Sequence, residues 1–124
     1  MKLEDFRNKK VIVTGHTGFK GSWLSTWLSL VGAKVYGFSK NVPTIPSHFD
    51  SIKSFFEDDI KGDIRDANAF KNYISKIKPD YLFHLAAQSL VNFSYEEPKL
   101  TWETNVIGTV NILDSLRYID TKCI

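Results

Sequence analysis

The chain has 124 residues, 43% of them apolar and 24% charged, with a net charge of +2. That is enough to bury one domain-sized core, and the charge is too small and too dispersed to point to nucleic acid as a partner. The single cysteine, Cys123, excludes an internal disulfide framework and fits a reducing compartment, and no apolar stretch reaches membrane-spanning length. Glu4 and Asp5 precede any apolar run, so the amino terminus does not read as a signal peptide, and a soluble cytoplasmic protein is expected. His16 and His48 lie far apart and there is one cysteine, so metal-ligand spacing is lacking and no metal is expected.

Taken in chain order, Lys10–Thr14 reads as a strand covered on both faces and runs straight into glycines at positions 15, 18 and 21. Phe19, Trp23, Trp27 and Val31, with Leu24 and Leu28, then recur at helical spacing as far as Gly32. That aromatic stripe is expected to face the sheet as core. Residues 33–39 form a second strand, and 40–49, with Pro43 and Pro46, a loop that leads to a short helix or turn around 47–52. A third strand is expected within 55–61, short and broken by Glu57, Asp58 and Asp59, and closed by residues 62–66. Asp66 suits the N-cap of a helix whose Ala67, Phe70, Ile74 and Ile77 share one face. Pro79 ends that helix, and 81–86 is a fourth strand. Pro98 suits the first turn of a long helix with Trp102, Val106, Val110 and Leu113 as its buried stripe. Residues 121–124 follow where a fifth strand should begin, so the chain is expected to be truncated there.

Strands alternating with helices imply a parallel, doubly wound α/β sheet, and right-handed crossovers order it 3-2-1-4. The reversal between strands one and four opens a crevice with the glycine loop on its edge. Strand, glycine turn and helix in succession suit a dinucleotide pyrophosphate. Gly15 permits the turn, Gly18 a close backbone approach to the phosphates, and Gly21 tight packing of helix on strand. An acid that would grip the adenosine ribose is missing from the end of the second strand. Ser39 can hydrogen-bond a ribose hydroxyl there, and Lys40 can pair a 2′-phosphate or simply begin a solvated loop, which leaves NAD against NADP open. Asp63 can accept from an adenine amino group while the Ile64 backbone reads the ring edge; the alternative for Asp63 is an Asx-type turn. Ala86 and Ala87 would let a flat ring lie against the backbone. His84, inside an apolar strand, reads as a satisfied core histidine. Asn105 and Gly108 both sit inside a helix at some cost, which suggests a functional kink or a bound water, or else an Asn satisfying a helix carbonyl.

Together, residues 14–21, 62–66, 84–88 and 104–109 resemble the extended short-chain dehydrogenase/reductases, whose fold is the Rossmann dinucleotide-binding type. The run from Gly15 to Leu24, with His16 and Lys20 in place of small and aliphatic residues, resembles the cofactor loop of CDP-glucose 4,6-dehydratases. Residues 43–47, Ser94, Tyr95 and Pro98 continue the likeness. Asn92 and Phe93 depart from it, standing where that family has basic residues. The resemblance implies a cofactor-binding portion, residues 1–124, with NAD rather than NADP. Gly15, Thr17, Gly18, Phe19, Lys20, Gly21, Ser39, Asp63, Ile64, Leu85, Ala86 and Ala87 would surround the cofactor, with Gln88 and Ser89 against a CDP-glucose substrate. It implies hydride removal from C4 of the glucose ring, loss of water across C5 and C6, and hydride return to C6, giving CDP-4-keto-6-deoxyglucose. The family's catalytic tyrosine and lysine, four residues apart, are expected beyond Ile124. Tyr118 and Lys122 have that spacing but fall at a helix end and read as coincidence. Asn105 is the member of the catalytic set expected here, ordering a proton-relay water, and the chain alone is expected to be inactive. The last helix is a candidate homodimer interface. Another sugar-nucleotide epimerase or dehydratase, a stand-alone dinucleotide-binding module and a ligand-free α/β scaffold are the alternatives.

Overall fold

The computed structural model describes residues 2–120 and 123–124. Four strands, β1 (Lys10–Thr14), β2 (Lys34–Ser39), β3 (Phe56–Lys61) and β4 (Tyr81–His84), form one sheet in the order β3-β2-β1-β4. All three pairings are parallel, as expected for right-handed crossovers. Beyond β4, the N–H of Ile124 donates to the Asp80 carbonyl at 3.0 Å and the Leu82 N–H to the Ile124 carbonyl at 2.9 Å. The last residue therefore pairs where the sequence places a fifth strand. β3 runs from Phe56 to Lys61 through its charges, with Phe56, Asp58 and Ile60 half-buried and Glu57, Asp59 and Lys61 more exposed. The irregularity expected there survives as one shift of register opposite Val35 and Tyr36.

Two cores flank the sheet. Helix α1 (Phe19–Leu30) covers one face, where Phe6, Val11, Val13, Leu28 and Val35 pack together. On the other face Ile12, Phe38 and Ile64 meet Phe70, Tyr73, Ile74 and Ile77 of α3 (Ala67–Ile77) and Ile112 of α6 (Gly108–Ser115). Asp66 caps α3 as expected, its Oδ1 accepting from the N–H groups of Asn68 at 3.1 Å and Ala69 at 3.0 Å. Ala67 is exposed, and Tyr73 takes the place expected of it on the buried face. The short α2 (His48–Ile52) is present, with Ser47 as its N-cap.

Two helix faces differ from the expectation. Phe19, Trp23 and Trp27 are exposed, 79%, 54% and 44%, and the buried residues of α1 are Gly21, Ser22, Ser25 and Leu28. The glycine turn draws the start of α1 so close that only small side chains fit beneath it. A Cβ on Gly21 would lie 2.1 Å from the Gly15 carbonyl oxygen. Ser25 satisfies its buried hydroxyl on the Gly21 carbonyl at 2.8 Å. The aromatics are turned outward, Trp23 stacking on His48 at 4.1 Å and Trp27 meeting Phe6 edge-on.

The long helix from Pro98 is also interrupted. It comprises α5 (Pro98–Trp102), a π turn (Glu103–Ile107) and α6, preceded by α4 (Val91–Glu96). The Gly108 N–H reaches back five residues to the Glu103 carbonyl, which shifts the helical phase. Trp102, Val106, Val110 and Leu113 are consequently exposed, and Gly108, Ile112 and Ser115 face the core. Gly108 packs on Ile64, whose Cδ1 a Cβ there would approach to 2.6 Å.

These distances make the glycines separable. Gly21→Ala should lower folding stability by about 3 kcal/mol, since backbone must move to admit the methyl group. Gly18→Ala, with φ of −77° and its nearest neighbour at 3.4 Å, should cost no more than about 1 kcal/mol. Urea unfolding of both variants measures the contrast.

Candidate functional site

The carboxyl ends of the strands carry the candidate site. At the end of β1, Gly15 adopts φ of +72° and its N–H donates to the Phe38 carbonyl at 2.9 Å. A Cβ on Gly15 would lie 2.7 Å from the Ala86 nitrogen, so the glycine turn presses directly on the exit of β4. Gly18 is the N-cap of α1 and supplies no side-chain cap. The first N–H groups of a twelve-residue helix therefore point outward beside exposed Phe19 and Lys20, with the positive end of the helix dipole behind them. Structurally this is a cradle for an anionic group, and it fits a dinucleotide pyrophosphate.

A buried polar knot ties the cradle to β2 and β3. His16 has no exposed surface, and its ring meets Phe49 and Phe56 edge-on. Its Nε2 is 2.6 Å from Asp59 Oδ1 and its Nδ1 is 2.9 Å from Ser39 Oγ. A carboxylate beside Nε2 calls for a proton there, so Nδ1 accepts from the Ser39 hydroxyl. Ser39 Oγ then accepts from the Thr17 N–H at 3.4 Å, and Thr17 Oγ1 donates to the Asn41 carbonyl at 2.6 Å. Ser39 is buried with its proton committed to His16. The ribose contact expected of it is thereby narrowed to an acceptor role. The sequence carried a signal for this knot in Gly37, because a Cβ inside that strand would lie 2.5 Å from His16 Nε2.

After β3, the Asp63 carboxylate is gripped by Arg65, with Nη2 to Oδ2 at 2.6 Å and Nε at 3.1 Å from both oxygens. Lys40 Nζ lies 3.3 Å from Oδ2. The Arg65 N–H donates to Oδ1 at 3.0 Å, so Asp63 forms the Asx turn weighed as its alternative. The Arg65 hydrogen bonds hold its carboxyl well below the usual carboxylate range. Ile64 buries its side chain, and its carbonyl accepts from Asn111 Nδ2 at 3.0 Å. The same amide nitrogen reaches the Arg65 carbonyl at 3.1 Å. Asn111 thus fixes this loop from α6, a role that sequence reasoning missed.

At the exit of β4, His84 is half-buried rather than fully in the core, and both of its ring nitrogens are paired. Its Nδ1 lies 2.7 Å from Thr14 Oγ1 and its Nε2 3.1 Å from Thr109 Oγ1. The strand ends at His84, earlier than the expected 86, and Leu85 to Ser89 leave the sheet as a ledge over the crevice. Ala87 and Ser89 are exposed on it; Leu85, Ala86 and Gln88 are half-buried. Asn105, launched from the π turn, clamps the ledge. Its Oδ1 accepts from the Gln88 N–H at 2.8 Å and its Nδ2 donates to the Gln88 carbonyl at 2.9 Å. Where a kink was expected at Asn105 the helix makes a π turn, and the Asn105 side chain serves the ledge in place of a helix carbonyl. One amide hydrogen and one lone pair remain free for a water or ligand. The Gln88 side chain is itself held, its Nε2 donating to Thr101 Oγ1 at 3.0 Å. Tyr118 lies apart from the site with Lys71 Nζ 3.3 Å above its ring, and Lys122 is outside the described residues. No helix among the described residues is long and apolar enough to cross a membrane.

A parallel 3-2-1-4 sheet with a glycine turn and an uncapped helix at its switch point defines a Rossmann-type nucleotide-binding fold. The GDP-mannose 4,6 dehydratase family model matches residues 12–124, and the chain belongs to that family. It is 48% identical over 116 residues to the CDP-glucose 4,6-dehydratase of Salmonella typhimurium, covering 92% of this chain and 32% of that protein. The resemblance read from the glycine loop is therefore borne out. The chain spans about a third of the length of the curated relatives it matches. Among solved structures, an epimerase from Methanothermobacter thermautotrophicus superposes with a TM-score of 0.80 at 27% identity, covering 95% of this chain and 34% of that one. The UDP-glucose 4-epimerase of Brucella ovis in complex with NAD gives 0.76 at 29% identity, covering 88% and 32%.

Both site histidines lie below their ordinary value of 6.5, each chiefly through burial; the pull of Asp59 offsets part of this for His16, and the ring nitrogens of His84 face hydroxyl groups. The folded state thus favours the neutral rings, and the unfolded chain takes up protons first on acidification. Stability should be fully present above the ordinary histidine pKa and fall as the pH drops from about 7 to about 5, read as a declining urea midpoint.

Proposed function

We propose that the chain is the cofactor-binding portion of an NAD-dependent sugar-nucleotide 4,6-dehydratase acting on CDP-glucose. The observation that carries this reading is the uncapped start of α1 over the Gly15–Gly21 contact, beside a ledge clamped at Gln88. The 48% identity to a CDP-glucose 4,6-dehydratase supports the substrate. Solved relatives in complex with NAD support the cofactor.

In this reading the N–H groups at the start of α1, helped by Lys20, hold the pyrophosphate, while Thr17, Phe19 and the three glycines shape its cradle. Asp63, kept ionised by Arg65, accepts from the adenine amino group beside the Ile64 backbone, and Ser39 accepts from a ribose hydroxyl. Leu85, Ala86 and Ala87 form the floor for the nicotinamide ring. Gln88 and Ser89 face the sugar nucleotide. Bound NAD supplies reversible hydride acceptance at the sugar. Asn105 uses its free amide hydrogen to order a water that carries a proton toward bulk solvent. Lys40 is already paired with Asp63, so a 2′-phosphate would have to compete with that carboxylate. This favours NAD over NADP.

Titration of the protein with each dinucleotide should show NAD as the tighter ligand, with binding abolished in Gly18→Trp. Asp63→Asn should weaken NAD about tenfold, the cost of one charge-assisted hydrogen bond, and narrow the preference over NADP by freeing Lys40. With the whole protein and CDP-glucose, a product lighter by one water is expected. A product of unchanged mass would instead identify an epimerase, the reading favoured by the solved epimerase relatives. Failure of a folded sample to bind either dinucleotide would remove the cofactor assignment.

A further inference from the structure

We infer that Thr14, His84 and Thr109 form a hydrogen-bond relay of fixed direction that sets the ledge after β4 against the glycine turn, with His84 as its neutral Nε2–H tautomer and Thr109 as a positioning residue. The direction follows from what each atom can do. Thr109 Oγ1 lies 2.7 Å from the Asn105 carbonyl oxygen, which only accepts, so the Thr109 proton is spent there. Towards His84 Nε2, at 3.1 Å, the same hydroxyl can then only accept, and Nε2 must carry the ring proton. The neutral ring leaves Nδ1 bare, and Thr14 Oγ1 donates to it across 2.7 Å. The two lone pairs left on Thr14 accept from the N–H groups of Leu85 at 3.1 Å and Ala86 at 3.2 Å.

Every hydrogen and lone pair on Thr14 Oγ1 is then used, and the two amides it holds open the ledge. The far end of the relay is the Asn105 backbone, and the Asn105 side chain grips Gln88. The ledge is thus held at its beginning from β1 and at its end from the π turn, with His84 joining the two. The opposite tautomer would set Nδ1–H against a Thr14 hydroxyl that already accepts twice. It would also leave Nε2 facing an oxygen whose proton is engaged elsewhere.

The consequence for dinucleotide binding rests on the cofactor reading above; the relay itself does not. Two measurements therefore separate them. In whole protein labelled with ¹⁵N-histidine, with the His84 resonance assigned by its loss in His84→Gln, the ring nitrogens report the tautomer directly. Nε2–H at neutral pH is expected, and Nδ1–H would overturn the relay. Thr109→Val removes the hydroxyl at constant shape, and Thr109→Ser restores it. The valine variant should bind NAD about tenfold more weakly and exchange the Leu85 and Ala86 amides faster, and the serine variant should return both to the parent values. Equal NAD affinity and equal amide exchange in the valine and serine variants would defeat the inference. If the parent protein binds no NAD, the cofactor reading falls, and tautomer and amide exchange still decide the relay.

Discussion

The arrangement at the carboxyl end of the sheet depends on one close approach. Gly15, the start of α1 and the exit of β4 press together with no room for a Cβ between them: Gly21 against the Gly15 carbonyl, Gly15 against the Ala86 nitrogen. This contact brings the helix N-terminus down to the level of the strand ends, where its unpaired N–H groups and dipole would act on the ligand proposed for the crevice. It also sets the glycine turn directly against the start of the ledge at Ala86. A single methyl group at either glycine separates elements whose spacing the rest of the site takes as given.

Such an approach brings backbone and polar side chains into the interior, and each must find partners there. Buried His16 and half-buried His84 meet that need on opposite sides of β1. His16 joins the glycine turn to β2 and β3 through Ser39 and Asp59; His84 joins β1 to the helix after β4 through Thr14 and Thr109. In both, the ring is neutral and donates through Nε2 while Nδ1 accepts from a hydroxyl. An imidazole suits the task because it offers one donor and one acceptor in line across a strand, so a network can pass through it without a charge to solvate. Fully satisfied networks of this kind fix geometry more strongly than an apolar packing of equal volume would, because a slipped arrangement leaves a buried group unpaired.

Much of this was legible in the sequence. Strand order, the glycine turn and the Asp66 cap all follow from local rules: period, turn chemistry, capping and topology. What resisted reading was long-range partnership. Ser39 looked free for a ribose because nothing local reveals that His16, far back in the chain, takes its proton. Asp63 looked like an adenine ligand first and a turn residue second, although Arg65 two positions later already argued for the turn. Asn111 offered no local signal, since a polar residue on a helix is ordinary until its partners are seen. Gly37 was the clue left unused: a glycine within a buried strand marks a neighbour standing close above it.

The misread helix faces share a cause with the site itself. Hydrophobic periodicity assumes that a helix packs at the distance its large side chains set, with the largest apolar residues turned inward. Where a helix is drawn nearer for the sake of its terminus, or rotated by a π turn for the sake of one side chain, the inner line becomes small: Gly21, Ser22 and Ser25 on α1, Gly108 and Ser115 on α6. The large residues are then displaced outward, as Trp23, Trp27, Trp102 and Val110 are. Outward-facing large residues on α1, on α5 and on α6 are thus accounted for by close approach and by the π turn rather than by a deficient core. The stronger sequence indicator on such helices is the spacing of small residues, four apart for Gly21 and Ser25 on α1 and seven apart for Gly108 and Ser115 on α6, which here marks the buried line.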